Sequence, residues 1–419
     1  MRDELYLAVI GLTLFLMIYS VYTEKKCFNP VFLFSLLWLI VVFLSSLNLF
    51  NLIKATSESY LIIYVGVLSF CLGFYLFLGI YRDDTRKGIT SELIFPIFAI
   101  LSLITIAFYI KDFFTVLPTL SSGGSMYDIR TMAQDSTSAL YVGRSNLEDA
   151  FRMLIVEPFA LSVPALLAAF IVFRESHWVV ATALGVVIIF LRVMTDGSRS
   201  LLLYLLMNLV IIYLVRYRAN IGKIFLALLP FLLLLVSLSI SRLGSQSLGE
   251  NLYYYYAMEP TMLDIWKTPI DKNGLYGYGT ASFNGFVYLL IYIIKNLLGV
   301  EYPDYWYQNV FLLINDTDQQ WQTIATDGTQ ANAYVSLFWF PYLDGGFPGL
   351  ILIMALYGFL GAYLYKKASS MDIRFVCLYS FYLQGLLMSF VRFQFANVSY
   401  ALAFVLIALI FKNTARNCC

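Results

Sequence analysis

The sequence predicts an all-α, polytopic membrane protein of about eleven transmembrane helices, with a large outer loop that holds interfacial helices. Three observations predict it. Of the 419 residues, 60% are hydrophobic and 13% charged, whereas soluble domains carry about 25% charged residues. Apolar stretches close to the ~20 residues that cross a bilayer recur along the whole chain. The connections between them alternate in length and charge.

The first stretch, 5–22, reads as a retained helix and not a cleaved leader. Arg2 is offset by Asp3 and Glu4, no small-x-small cleavage site follows, and Lys25 and Lys26 come next. The further spans fall at 28–50, 60–81, 93–110, 153–173, 178–195, 199–215, 224–241, 347–365, 375–391 and 399–412.

Connections after the odd-numbered spans are short and basic: Lys25/Lys26, Arg82/Arg86/Lys87, Arg174, Arg216/Arg218/Lys223, Lys366/Lys367/Arg374 and Lys412/Arg416. The positive-inside rule puts these in the cytoplasm, with the N-terminus outside and the C-terminus inside. Two of the remaining connections are long, 111–152 and 242–346, and long loops cross largely regardless of charge. Within the larger one, the apolar pieces Phe283–Val300 and Ala331–Tyr342 read as interfacial or re-entrant helices. No internal repeat or low-complexity linker divides the chain, so 1–419 reads as a single transmembrane domain.

Several function classes are excluded at once. A net charge of +1 gives no electrostatic case for nucleic acid. The inner loops carry no phosphate-binding glycine motif. The single histidine, His177, sits at the start of an inner span end, so a zinc or Ser-His-Asp site on the outer face lacks its histidine. Asp316-Thr317-Asp318 lacks the Gly and terminal Glu of a calcium loop. No metal and no cofactor is assigned.

The outer membrane-proximal cations are arginines: Arg192, Arg199, Arg242 and Arg392, with Arg144 and Arg152 before the fifth span. Guanidinium binds phosphate bidentately and keeps its charge. The sharpest local signal is Thr195-Asp196-Gly197-Ser198-Arg199-Ser200, where one span ends and the next begins. Ser198 reads as an N-cap, leaving helix amides beside Arg199 to receive an anion. The bland alternative is a capped turn whose arginine snorkels to lipid phosphate, and for Arg144 and Arg152 that alternative is preferred. Asp196 is the first choice of general base among the outer acids, which include Glu250, Glu259, Asp264, Asp271, Asp304, Asp316, Asp318, Asp327 and Asp344. The run Tyr253–Tyr256 reads by default as an interfacial anchor, with sugar stacking through Tyr255 as the alternative.

Gly197-Ser198-Arg199 at an outer turn, the large outer loop after the eighth span, and Asp344-Gly345-Gly346-Phe347-Pro348-Gly349 leading into a helix with Gly358 and Gly361 together resemble the O-antigen or oligosaccharide repeat-unit polymerases (Wzy-type). The resemblance implies a bacterial cytoplasmic (inner) membrane enzyme. It would transfer a growing glycan from one polyprenyl-diphosphate carrier to the terminal sugar of another, with a chain-length regulator as a possible partner beside the lipid bilayer. It implies diphosphate contacts at Arg199, Arg242, Arg392 and Arg192, with Ser198 and Tyr255 in the binding site. The related ligases use an outer-loop histidine, absent near Gln330–Tyr334. A lipid-linked oligosaccharide flippase is the alternative from another class; it would be expected to show inverted repeats and broken helices.

Overall fold

The computed structural model describes residues 4–25, 28–81, 89–135, 137–174, 176–217 and 248–415. Seven helices among them are long and apolar enough to cross a membrane: Leu5–Glu24, Ser57–Ile80, Phe95–Ser121, Asn146–Phe173, Trp178–Asp196, Ser200–Tyr217 and Ser336–Ala368. Shorter apolar helices cover Pro30–Ser46, Asn284–Leu298, Ile373–Leu387 and Val398–Leu409. A helix thus occupies each expected span apart from 224–241, which lies outside the described residues. Among the described residues, strands are confined to two small antiparallel pairs, Ile89–Leu93 with Phe411–Ala415 and Gln322–Thr323 with Gln330–Ala331. Ile18, Leu72, Leu76 and Ile80 stand exposed on long apolar helices. Such surfaces belong against lipid, since a helix apolar on every side has no solvated face. The chain is a mostly helical membrane protein.

Three boundaries differ from the sequence expectation. The fourth span does not stop at 110: its helix runs to Ser121 and carries Lys111 and Asp112 within it. The piece 331–342 is helical only from Ser336, and a kink with non-helical backbone at Gly345 and Gly346 separates that helix from the one that follows to Ala368. Gly346, with φ of 59°, takes a backbone conformation that side-chain-bearing residues rarely adopt. Finally, the helix Asn146–Phe173 contains a π turn at Arg152–Val156 just before Pro158. The proline has no N–H to continue the regular ladder, and the Glu157 N–H bonds back five residues to the Arg152 carbonyl. Turns of this kind occur often at functional sites.

The chain divides into two compact units. The first comprises Met1–Asp83, Ser245–Lys366 and Gly385–Val398; the second comprises Asp84–Gly244, Lys367–Gln384 and Ser399–Cys419. In the first unit, Ser57–Ile80 crosses Ser336–Ala368 at glycines. A Cβ on Gly358 would meet the Phe70 carbonyl oxygen at 1.9 Å, and one on Gly73 would meet the Ala355 carbonyl oxygen at 2.0 Å. In the second, Phe98 packs on Phe159 and Phe170. There Asn208 donates to Gln384 at 2.6 Å and accepts from Ser380 at 2.5 Å, which satisfies a buried polar trio between helices.

Candidate functional site

Four carboxylates and three arginines of the second unit surround a polar cavity of about 310 Å³: Asp112, Asp149, Glu157 and Asp196 with Arg144, Arg152 and Arg192. The elements that bring them together are the extended end of Phe95–Ser121, the π turn, and the last turn of Trp178–Asp196. The π turn spaces Arg152 and Glu157 so that both line the cavity.

The pairs differ in tightness. Arg152 grips Asp112 with two bonds, 2.6 and 2.9 Å, and both groups are buried. It also meets Glu148 at 3.1 Å. Arg192 holds Glu157 at 2.6 Å and touches the Tyr109 hydroxyl at 3.2 Å. Its contact with Asp196 is longer, 3.4 Å. Arg144 lies 3.4 Å from Asp112 and 3.9 Å from Asp149, whose side chain is 56% exposed. Short, buried, bidentate pairs are costly to open, whereas long pairs at water exchange partners at little cost. Asp149 and Asp196 are therefore the acids an incoming anion would displace. Arg144 and Arg192 are the cations it would gain.

An apolar cavity of about 680 Å³ adjoins the same helical segments, lined by Ile104, Ala107, Phe108, Leu147 and Phe151, with Lys111, Ser145 and Glu148 at its edge. Lys111 closes on Glu148 at 2.8 Å. Arg152 links the two spaces, bonding Glu148 on one side and lying 4.9 Å over the Phe108 ring. A charged chamber beside an oily one suits an amphiphile with an anionic head.

The turn from 195 to 200 holds two of the expected residues away from that chamber's wall. Asp196 lines the cavity, but neither Ser198 nor Arg199 does. The helix begins at Ser200, so Ser198 stands one residue outside the cap position expected for it. Its hydroxyl accepts the Ser200 N–H at 3.3 Å and pairs with the Ser200 hydroxyl at 2.8 Å. Gly197 ends the preceding helix with φ of 59°, and a Cβ there would meet the Met126 carbonyl oxygen at 2.8 Å. Glycine is required twice over: by its backbone and by the helix Met126–Gln134 pressed against it.

Arg392 and Tyr255 belong to the first unit. Arg392 is ion-paired with Asp318. Tyr255 packs edge-on against Tyr334, 5.5 Å between centroids. Its neighbours in the tyrosine run are structural: the Tyr253 hydroxyl bonds the Leu49 N–H and the Leu44 carbonyl, and that of Tyr254 the Phe50 carbonyl. Arg242 lies outside the described residues.

Three of the other acids weighed as bases sit in defined surroundings. Asp264 and Asp271 flank the buried Lys267, which holds Glu58 at 2.6 Å. Burial alone would lower the Lys267 ammonium pKa, but the three carboxylates outweigh it and hold it above its ordinary value. Glu259 is fully buried with no hydrogen-bond partner on either oxygen. That burial pushes its carboxyl up to about 8.

The sequence reading missed Asp112 and Glu157 and set Arg144 and Arg152 aside as lipid snorkels. The signal was present: Asp112 and Glu157 are charges bordering or interrupting strongly apolar windows, where an ionisable residue marks function by default. Among the described residues, no group of three or more His, Cys, Asp or Glu side chains forms a metal site. No protein-family model, curated protein or solved structure matches this chain, so the site rests on its own geometry.

Proposed function

We propose that this protein is a metal-independent glycosyltransferase that polymerises polyprenyl-diphosphate-linked oligosaccharide units on the outer side of a bacterial cytoplasmic membrane. In this reading the chain has eleven spans, an outer N-terminus, a cytoplasmic C-terminus, and outer loops at 111–152 and 242–346. The observation that carries it is the charged chamber beside the apolar one, with Arg152 lining the first and contacting Glu148 and Phe108 of the second. The prenyl chain takes the apolar space, and the diphosphate takes the chamber.

The diphosphate displaces Asp149 from Arg144 and Asp196 from Arg192, pairs of 3.9 and 3.4 Å on the chamber wall. Arg152 and Asp112 remain locked as a fixed wall. Transfer breaks the bond between the donor sugar's anomeric carbon and the phosphate oxygen. The acceptor hydroxyl forms the new bond, the freed Asp196 carboxylate receives its proton, and polyprenyl diphosphate leaves as the anion. Guanidiniums fixed where that charge develops stabilise the transition state.

Deletion of the gene, followed by gel analysis of surface glycan, tests the reading. Single repeat units must replace the ladder, and Arg192→Ala must fail to restore it, whereas Lys54→Ala restores it. A ladder that persists unchanged in the deletion strain ends the proposal. Arg199→Ala shows how far the grip extends along the turn: normal chain lengths would remove Arg199 from the site. Cysteine labelling of positions 197–199 from the cytosolic side would overturn the orientation.

A further inference from the structure

The first unit carries a tyrosine cluster that the reaction above does not use. Tyr276 and Tyr278 flank Gly277 in the turn after Glu259–Asn273, and Tyr305 comes from the short helix Asp304–Trp306. Centroids lie 6.4 Å apart for Tyr276 and Tyr278, and 6.5 Å for Tyr278 and Tyr305. The three rings are exposed, Tyr278 by 78%.

Exposed rings are ordinarily loose, but these are clamped. The Tyr305 hydroxyl donates to the Tyr276 carbonyl at 2.7 Å and accepts the Tyr276 N–H at 3.1 Å. The Gly277 N–H donates to the Leu343 carbonyl and the Tyr278 N–H to the Asp344 carbonyl. Behind the turn, the buried Asp344 carboxylate accepts the N–H groups of Gly279, Ala281 and Ser282, each at 2.8 Å. Tyr278 itself has φ of 51°, a conformation in which a bulky aromatic residue is a genuine outlier. A fold that over-determines a strained backbone so as to hold one phenol in the open has a use for that phenol. Rings that merely anchor a protein in a lipid interface need the right depth and no fixed mutual orientation. Fixed, amphipathic faces edged with hydroxyls match the alternating C–H faces and hydroxyl rims of pyranose rings.

We propose that Tyr276, Tyr278 and Tyr305 form a preorganised platform that stacks the sugar rings of an oligosaccharide. This rests on the glycan substrate proposed above but on a different part of the molecule. Asp344 is a positioning residue for it.

The test uses full-length protein in detergent and, as probe, oligosaccharide released by mild acid from the host strain's own surface polysaccharide. Saturation-transfer NMR should detect binding to the unaltered protein. Tyr278→Ala should weaken it about tenfold, while Tyr278→Phe and Tyr278→Trp keep it. Tyr305→Ala, which removes both a ring and the clamp, should weaken it at least as much. In cells, Tyr278→Ala should shorten the ladder. Unchanged affinity in Tyr278→Ala overturns the proposal. So does unchanged glycan affinity combined with weaker retention on phosphatidylethanolamine–phosphatidylglycerol vesicles, which would assign the ring to lipid. A ladder that survives gene deletion, with Tyr278-dependent binding intact, removes the polymerase reading and leaves the platform standing. A ladder that needs Arg192, with binding indifferent to Tyr278, removes the platform alone.

Discussion

The two units treat charge in opposite ways. In the first, Lys267 sits among Glu58, Asp264 and Asp271, and Asp344 is saturated by three amides. The acids there are also held by other donors, Asp264 by Ser59 at 3.0 Å and Asp271 by Tyr342 at 2.8 Å. In the second, Arg144 and Arg192 each keep a contact of 3.4 Å or longer with an acid on an open cavity. The difference teaches that pairing alone does not disqualify an arginine as a ligand. Lys267 too keeps contacts of 3.7 and 3.4 Å, so length alone does not separate the units; an open cavity beside the pair is what lets a partner be exchanged for a substrate.

The strongest way to break this contrast is through activity. Arg192→Ala, or Asp196→Asn with folding intact, should cut transfer by about 10² to 10⁴ in an assay with purified lipid-linked units. Equal loss from Asp271→Asn would erase the distinction between the units. Next, Asp112→Ala leaves the buried Arg152 with Glu148 alone as its acidic partner and should destabilise the protein by about 1–3 kcal/mol, read as a fall in unfolding temperature in detergent.

The third effect depends on pH. Glu259 is neutral in the folded protein until about pH 8, whereas the unfolded carboxyl ionises near 4.5. Between those values the folded state holds one more proton than the unfolded state. Stability therefore falls as pH rises through the window, by ~1.4 kcal/mol per unit. Glu259→Gln should remove that slope in unfolding temperatures taken at pH 5, 7 and 9. An unchanged slope would mean that the carboxyl is already ionised in the fold. The smallest effect is expected at Arg392→Ala, whose partner Asp318 is 40% exposed. It should cost under about 1 kcal/mol and leave the ladder in place.

Much of the helical plan was legible in the sequence, because apolar runs of span length leave few alternatives. Ends were not. The expected stop at 110 came from reading Lys111 and Asp112 as loop, when pairing with Glu148 and Arg152 lets both charges stay helical. The turn at 197, whose Asp196 lines the chamber, was legible from its glycine. Arg152 with Asp112 was not, since the partners lie 40 residues apart and nothing local announces the match. The Gly345–Gly346 pair signalled an interruption; that the helix resumes beyond it depends on packing.

The bend at those two glycines invites comparison with a hinge, but its surroundings argue otherwise. Before it, Phe338 fills the space that a side chain on Gly66 would need; beyond it, Gly358 and Gly73 lie against neighbouring carbonyls. The helical arms on both sides of the kink are thus packed against one neighbour, Ser57–Ile80. A rod fastened on either side of its elbow cannot swing. The elbow is a fixed bracket.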